Sequence, residues 1–280
     1  MRYDPETIRG FFDSYGDREW ERFEGRAQDR VSLHIHNHYL ARFVKPGMHV
    51  LDAGAGPGRF TIELARIGAR VTVLDISPQM LEQNRRRVAR AGLEGAVVER
   101  RRGDIVDLSE FAEDTFDAVV CYGGPVSYVM DRADEALAEL VRVARPAAPL
   151  LLSVMSTLGA TRSLLPAVLD LSHEVGTARI AEVLASGLLL DDLFRNKHVM
   201  KMYRWRELEA QLLRFDCQVV AASSTNFLTA GHHVPALELA GDEETLEALL
   251  DWELDCCREE GALDGGSHIL AVARIPEKPR

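Results

Sequence analysis

Val50-Leu51-Asp52-Ala53-Gly54-Ala55-Gly56-Pro57-Gly58-Arg59-Phe60 reads as a buried strand that turns abruptly into a helix. Apolar residues run into three glycines at alternate positions, and helical periodicity starts directly after them. Glycine tolerates positive φ and lets a ligand approach the backbone with no Cβ in the way. The helix start then offers unpaired N–H groups to ligand acceptors. The spacing separates the kinds of nucleotide loop. A dinucleotide fingerprint, G-x-G-x-x-G, would put its third glycine at position 59, which is Arg59. A P-loop would end in Gly-Lys-Ser/Thr, and that is absent. The pattern D-x-G-x-G-x-G supplies no lysine for a triphosphate and suits a ligand without a phosphate chain.

On either side of this loop the chain alternates between two periods. Short β-branched runs fall at His49–Ala53, Val71–Asp75, Ala96–Glu99, Phe116–Cys121 and Leu150–Met155. Helical patterns lie between them at Arg59–Ile67, Pro78–Ala91 and Asp131–Val143. Strand and helix in alternation predict a parallel sheet covered on both faces. Residues 5–45 read as helix up to a Pro46-Gly47 stop. Residues 157–204 carry two helical patterns, around Ser163–Leu171 and Ala178–Leu188, with no obvious strand. A helix at Arg206–Arg214, a strand at Gln218–Ser224, an acidic helix at Glu243–Glu259 and a strand at Ser267–Ile275 complete the chain. The insert at 157–204 is long enough to cap the sheet's C-terminal edge, where open α/β sheets bind ligands.

Asp75 ends the second strand about 20 residues after the glycines, where a carboxylate can accept hydrogen bonds from both ribose hydroxyls. Gly103-Asp104-Ile105 follows the third strand. A carboxylate there can accept from an exocyclic adenine amine, with Ile76, Met80 and Ile105 placed to sandwich the ring. The segments D-A-G-A-G-P-G at 52–58, V-L-D-I-S at 73–77, G-D-I at 103–105 and F-D-A-V-V at 116–120 stand in the order of one known family. The chain resembles the class I S-adenosylmethionine-dependent methyltransferases of the small-molecule type, over roughly residues 10–275.

That resemblance implies an α/β, Rossmann-like, doubly wound sheet of seven strands with the last antiparallel. It implies a division into an N-terminal helical lid at 1–45 and a methyltransferase domain at 46–280, with 157–204 as a helical cap. Its cofactor would be S-adenosylmethionine, leaving S-adenosylhomocysteine as product. Gly54, Ala55, Gly56 and Gly58 would lie beneath the methionine part. Asp75 would bind ribose, and Asp104 with Ile105 would bind adenine. Tyr122 and Gly123 would line the sulfonium side, and Tyr15 would reach over as a lid contact. One departure from the family pattern is Arg145-Pro146-Ala147-Ala148, where Arg-Pro-Gly-Gly is usual.

The loop Cys121-Tyr122-Gly123-Gly124-Pro125-Val126-Ser127 lacks the Asn/Asp-Pro-Pro-aromatic grip used on nucleic-acid bases, which favours a small-molecule acceptor. The net charge of −11 argues against a nucleic-acid or anionic-membrane partner. The arginine-rich stretch Arg85, Arg86, Arg87, Arg90 and Arg100–Arg102 reads as solvated surface. Cys121, Cys217, Cys256 and Cys257 form no C-x-x-C pair, and the polar N-terminus is no secretory signal, so a cytoplasmic protein with reduced thiols is expected. His34, His36 and His38 read as a solvated or packing face and no metal site is expected; His173, His198 and His232-His233 are further candidates for a base that the sequence does not choose between. The acidic helix carries Leu246, Leu249, Leu250 and Leu254 at helical spacing, as a surface helix or a dimer contact; monomer and homodimer both fit. Two other readings stay open: a nicotinamide-dependent oxidoreductase, and a non-catalytic S-adenosylmethionine-binding regulator.

Overall fold

A computed structural model describes residues 2–16, 18–21, 27–190, 199–232 and 243–277. Seven strands form the central sheet: β1 (His49–Ala53), β2 (Arg70–Asp75), β3 (Val97–Arg102), β4 (Ala118–Cys121), β5 (Pro149–Met155), β8 (Gln218–Ser224) and β9 (His268–Arg274). Their order is β3-β2-β1-β4-β5-β9-β8. The first five pair in parallel, and β9 runs antiparallel to both β5 and β8. The alternation read from the sequence gives the parallel strands, and the seven-stranded sheet with an antiparallel last strand is the one the resemblance implies.

The two-residue period of the strands sorts their side chains between two apolar layers. Leu51, Val119, Leu150, Leu152 and Ile269 face one way, against α7 (Ala133–Val143) and α11 (Trp205–Leu213), through Leu137, Leu140, Leu208 and Leu212. Val50, Val71, Val73, Val120, Leu151 and Leu270 face the other way. There they meet α3 (Ala27–Phe43), α4 (Arg59–Ile67) and α12 (Glu243–Cys257), through Ile35, Leu40, Leu64, Leu250 and Leu254. Leu250 and Leu254 of the acidic helix thus pack inward on this layer. Each fully buried aliphatic side chain in these layers contributes roughly 1.5–3 kcal/mol.

The helix expected over 5–45 divides into α1 (Pro5–Tyr15), α2 (Arg18–Glu21) and α3. The break after Tyr15 follows from Gly16, which takes φ +60° and turns the chain. As a result α1 lies over the sheet's C-terminal edge, while α3 belongs to the core.

The insert is built of α8 (Thr157–Ser163), α9 (Leu165–Val175) and α10 (Thr177–Ser186), with the short antiparallel pair β6 (Leu188–Leu189) and β7 (Met200–Lys201). This two-residue ladder corrects the reading of the insert as strandless; it is too short to leave a period in the sequence. Pro166, in the first turn of α9, separates α8 from α9, so no single helix spans Ser163–Leu171. No described helix is long and apolar enough to cross a membrane.

Candidate functional site

The glycine loop folds back over the end of β2, where Gly54 and Ala55 both donate to the Leu74 carbonyl, at 2.8 and 3.0 Å. Gly54 has φ +73°, and a Cβ there would lie 2.4 Å from Cγ of Pro125. No larger residue fits, because Pro125 begins the short helix α6 (Pro125–Tyr128) directly after β4. The loop after β1 and the loop after β4 are thereby locked together. Gly58 takes φ +100° against Asn84 of α5 (Pro78–Arg90) and starts α4.

Beneath the loop runs a buried chain of polar contacts. Arg100 Nε donates to Asn84 Oδ1 at 2.9 Å, and Asn84 Nδ2 donates to Thr61 Oγ1 at 2.8 Å. Thr61 in turn donates to Asp52 Oδ2 at 2.6 Å. Burial pushes the Asp52 carboxyl up to about 7; the Thr61 hydrogen bond opposes the rise and nearby Asp75 adds to it.

Asp75 is buried at the tip of β2. Its Oδ2 accepts from Gly56 N at 2.7 Å and its Oδ1 from Ser77 N at 2.8 Å. Burial pushes its pKa up to about 6, against the pull of those two backbone donors, and Glu19 and Asp13 raise it further. Asp104 stands across the mouth of the site, its Oδ1 accepting from Val106 N at 3.1 Å and its Oδ2 from the Tyr3 hydroxyl at 2.6 Å.

One cavity joins these groups. Gly54, Ala55 and Gly56 form one end, Asp75, Ile76, Asp104 and Ile105 one side, and Tyr122 and Gly123 the corner after β4. The structure thus brings most of the expected cofactor residues to one cavity. Three expected contacts lie off its wall. Met80 is fully buried in α5; Gly58 packs on Asn84; and Tyr15, on the last turn of α1, stacks on Phe11 with ring centroids 5.4 Å apart. The N-terminal segment instead presents Tyr3, Ile8 and Phe12 to the cavity.

Glu19, Arg59, Phe60, Pro125, Tyr128 and Val129 line it too and went unread in the sequence. Arg59 and Pro125 had a signal, since each directly follows a glycine turn at the start of a helix. Tyr3 and Glu19 had none, being brought in from remote segments.

His36 sits behind the β4 corner. It is buried, its ring 4.6 Å from Tyr122 and 5.1 Å from Phe60, measured between centroids. Its Nδ1 is 2.7 Å from the Ser32 carbonyl and its Nε2 is 3.0 Å from Ser153 Oγ. Ser153 Oγ also accepts from Gly123 N at 2.9 Å. A carbonyl demands a donor, so Nδ1 carries the proton and Nε2 accepts from Ser153. Of the other histidines, His34 and His38 flank this buried face on α3, both held below the usual imidazole range chiefly by burial. His173 and His232 are exposed, and His198 and His233 lie outside the described residues. Among the described residues, no three His, Cys, Asp or Glu side chains converge as metal ligands.

The donor set is unbalanced in charge. Asp75, Asp104 and Glu19 line the cavity with Arg59 as a cation. Such a wall complements a ligand with cationic centres and opposes a pyrophosphate. It fits S-adenosylmethionine: carboxylates for ribose and adenine, and a glycine cradle that a Cβ would fill.

Comparison with known proteins agrees. Residues 50–147 match the family described as "Methyltransferase domain". Over 87 residues the chain is 38% identical to a ubiquinone biosynthesis O-methyltransferase of Xanthomonas campestris pv. campestris, covering 30% of this chain and 34% of that protein. The chain spans about a third of the length of the curated relatives it matches, 35% in the case of a Mycobacterium tuberculosis protein that is 36% identical over 103 residues. Among solved structures it is similar to one described as a complex between the Haloferax volcanii Trm112 methyltransferase activator and a methyltransferase (TM-score 0.61, 20% identity, 98% of this chain and 99% of that one). It is also similar to 1,6-didemethyltoxoflavin-N1-methyltransferase of Burkholderia thailandensis, solved with 1,6-didemethyltoxoflavin and S-adenosylhomocysteine (TM-score 0.58, 18% identity, 97% and 88%).

Residues 50–147 are thus a methyltransferase domain, and the fold of the chain is that of solved class I S-adenosylmethionine-dependent methyltransferases. S-adenosylmethionine is the cofactor of that class.

Proposed function

We propose that the protein transfers the methyl group of S-adenosylmethionine to a small-molecule acceptor. The observation that carries this reading is the largely apolar wall of the cavity. Ile8, Phe12, Phe60, Tyr122, Tyr128 and Val129 surround the space between the glycine loop and Gly123. A sulfonium-borne methyl group is intrinsically electrophilic and is displaced in line. The chain's part is therefore to orient the two reactants and exclude water.

In this reading Asp75 accepts from the ribose hydroxyls, Asp104 accepts from the adenine amine, and Ile76 and Ile105 flank the ring. Gly54, Ala55 and Gly56 cradle the methionine portion, and Gly58 starts the helix that ends the cradle. Ser153, relayed by His36, fixes the Gly123 backbone at the corner the methyl group faces. Residues 1–45 supply the lid through α1, and the insert at 157–204 supplies the cap.

The toxoflavin-precursor enzyme, similar over nearly the whole chain, supports the small-molecule reading by the acceptor in its site. The charge pattern of the cavity speaks against a nicotinamide dinucleotide. The test is to incubate the protein with methyl-labelled S-adenosylmethionine and a cell extract separated into low-mass, RNA and protein fractions. Label is expected in the low-mass fraction. Label confined to RNA or protein would overturn the acceptor class, and tight cofactor binding with no labelled product would overturn catalysis.

A further inference from the structure

The Tyr3 side chain does something that its place near the start of the chain does not suggest. Its hydroxyl donates to Asp104 Oδ2 at 2.6 Å across 101 residues of sequence, and its backbone N donates to Asp131 Oδ1 at 2.7 Å. The ring packs on the sheet's larger core layer and also on the small cluster of Ile8, Met130 and Val199. Tyr3, Ile8 and Phe12 line the cavity on the side of Asp104 and Ile105. Phe12 is seated edge-on against Tyr128, with centroids 5.0 Å apart.

Asp104 thus meets one donor on each oxygen: Val106 N on Oδ1 and the Tyr3 hydroxyl on Oδ2. A carboxylate has about four acceptor directions, so two remain. With both oxygens held, the plane of the carboxylate is fixed, and the remaining lone pairs have a fixed aim. Burial and the Asp104 carboxylate both push the Tyr3 hydroxyl well above the usual phenol range, so it stays a donor. A carboxylate fixed as an acceptor welcomes a purine bearing a 6-amino group and repels one bearing a 6-oxo group.

We propose that Tyr3 is a positioning residue of the adenine subsite, which sets the Asp104 carboxylate for the exocyclic amine and so contributes to selection of adenosyl over other purine ligands. This rests on the S-adenosylmethionine reading of the cavity. It assigns the first residues of the chain to ligand recognition through one hydrogen bond.

The experiment is calorimetric titration of wild type and Tyr3→Phe with S-adenosylhomocysteine and with S-inosylhomocysteine, whose purine carries oxygen in place of the amine. Tyr3→Phe keeps the ring and its packing and removes only the hydroxyl. Its affinity for the adenosyl ligand should fall about three- to tenfold, as for loss of a hydrogen bond to a charged group acting at one remove. The inosyl ligand turns a 6-oxo acceptor instead of an amine donor toward Asp104, so its already weak affinity should move by less than about twofold. Asp131→Ala frees the backbone tether while leaving the hydroxyl, and should give the same selective loss.

Equal weakening of both ligands would mean that Tyr3 only packs the wall, and unchanged adenosyl affinity would mean that it does nothing for the site; either overturns the proposal. A wild type that binds neither ligand would instead overturn the cofactor reading on which it rests.

Discussion

Asp75 should make cofactor affinity fall in acid, and Asp75→Asn should abolish that dependence. The carboxyl is buried, with a pKa of about 6 in the free site, raised by burial and by Glu19 and Asp13 against the Gly56 and Ser77 donors. Ribose hydroxyls donate hydrogen bonds, so they bind the ionised form. At pH 5 only about a tenth of the sites are ionised, and affinity for S-adenosylhomocysteine should be about tenfold weaker than at pH 8. The neutral amide of Asp75→Asn loses the charge assistance of those bonds, about 1.5–3 kcal/mol or ten- to a hundredfold in affinity, and should show a flat profile.

Folding responds with the opposite sign. The folded pKa of about 6 lies above the ordinary 3.8, so the native protein holds an extra proton between those values. Stability from this group is therefore highest below about pH 4, falls as pH rises to about 6 and stays reduced above. Asp75→Asn should accordingly remove this part of the pH dependence of the ligand-free protein's melting temperature, since the amide does not titrate, while it weakens binding. Calorimetry across pH 5–8 and thermal melts of both proteins make the test. A flat wild-type profile, or a slope that survives in the Asn variant, would refute the assignment of Asp75 as the ribose acceptor.

Two further predictions concern stability. Ala147 takes φ +63° in the turn before β5, a conformation that costs a non-glycine residue roughly 1–2 kcal/mol. Ala147→Gly should relieve most of it, less the added flexibility of the unfolded chain, and raise the melting temperature by about 1–2 °C with unchanged ligand affinity. Glu253 is fully buried on α12, with Oε2 accepting from Phe227 N and Leu228 N and Oε1 from Thr229 N and Oγ1, at 2.6–3.0 Å. Glu253→Gln turns an amide NH₂ toward backbone donors and should cost about 2–4 kcal/mol, seen as a melting drop of about 4–7 °C; a change under about 1 °C would show that the carboxylate is dispensable.

The sheet was legible because its physics is local. A buried strand, a glycine turn and a helix start are contiguous from Val50 to Phe60, and the strand read at His49–Ala53 and the helix at Arg59–Ile67 coincide with β1 and α4. Asp75 and Asp104 could be read because both stand directly after strands, where topology alone delivers them to the sheet's C-terminal edge. The wall opposite was not legible. Tyr3, Ile8 and Phe12 reach Asp104 and Tyr128 by tertiary packing, which leaves no spacing rule in the chain. Tyr15 drew attention by its type, yet Gly16 ends α1 just beyond it and Tyr15 turns to Phe11. His36 hid among three alternating histidines, two of them only half-buried, and only its contact with Ser153 across 117 residues distinguishes it. The Arg-Pro-Ala-Ala turn shows the reverse case: the backbone keeps the glycine-like angle although the side chain has changed.

β9 follows β8 in the chain but lies between β5 and β8 in the sheet. A polypeptide leaving the ribosome N-terminus first therefore exposes the bare edge of β5, with its run Leu150-Leu151-Leu152, until residues 268–274 have been made. An unpaired apolar edge of this kind is a template for pairing with other chains. Premature termination between β5 and β9 would leave the glycine loop and both site carboxylates in place on a sheet that cannot close. Such fragments are expected to go to aggregates or proteases.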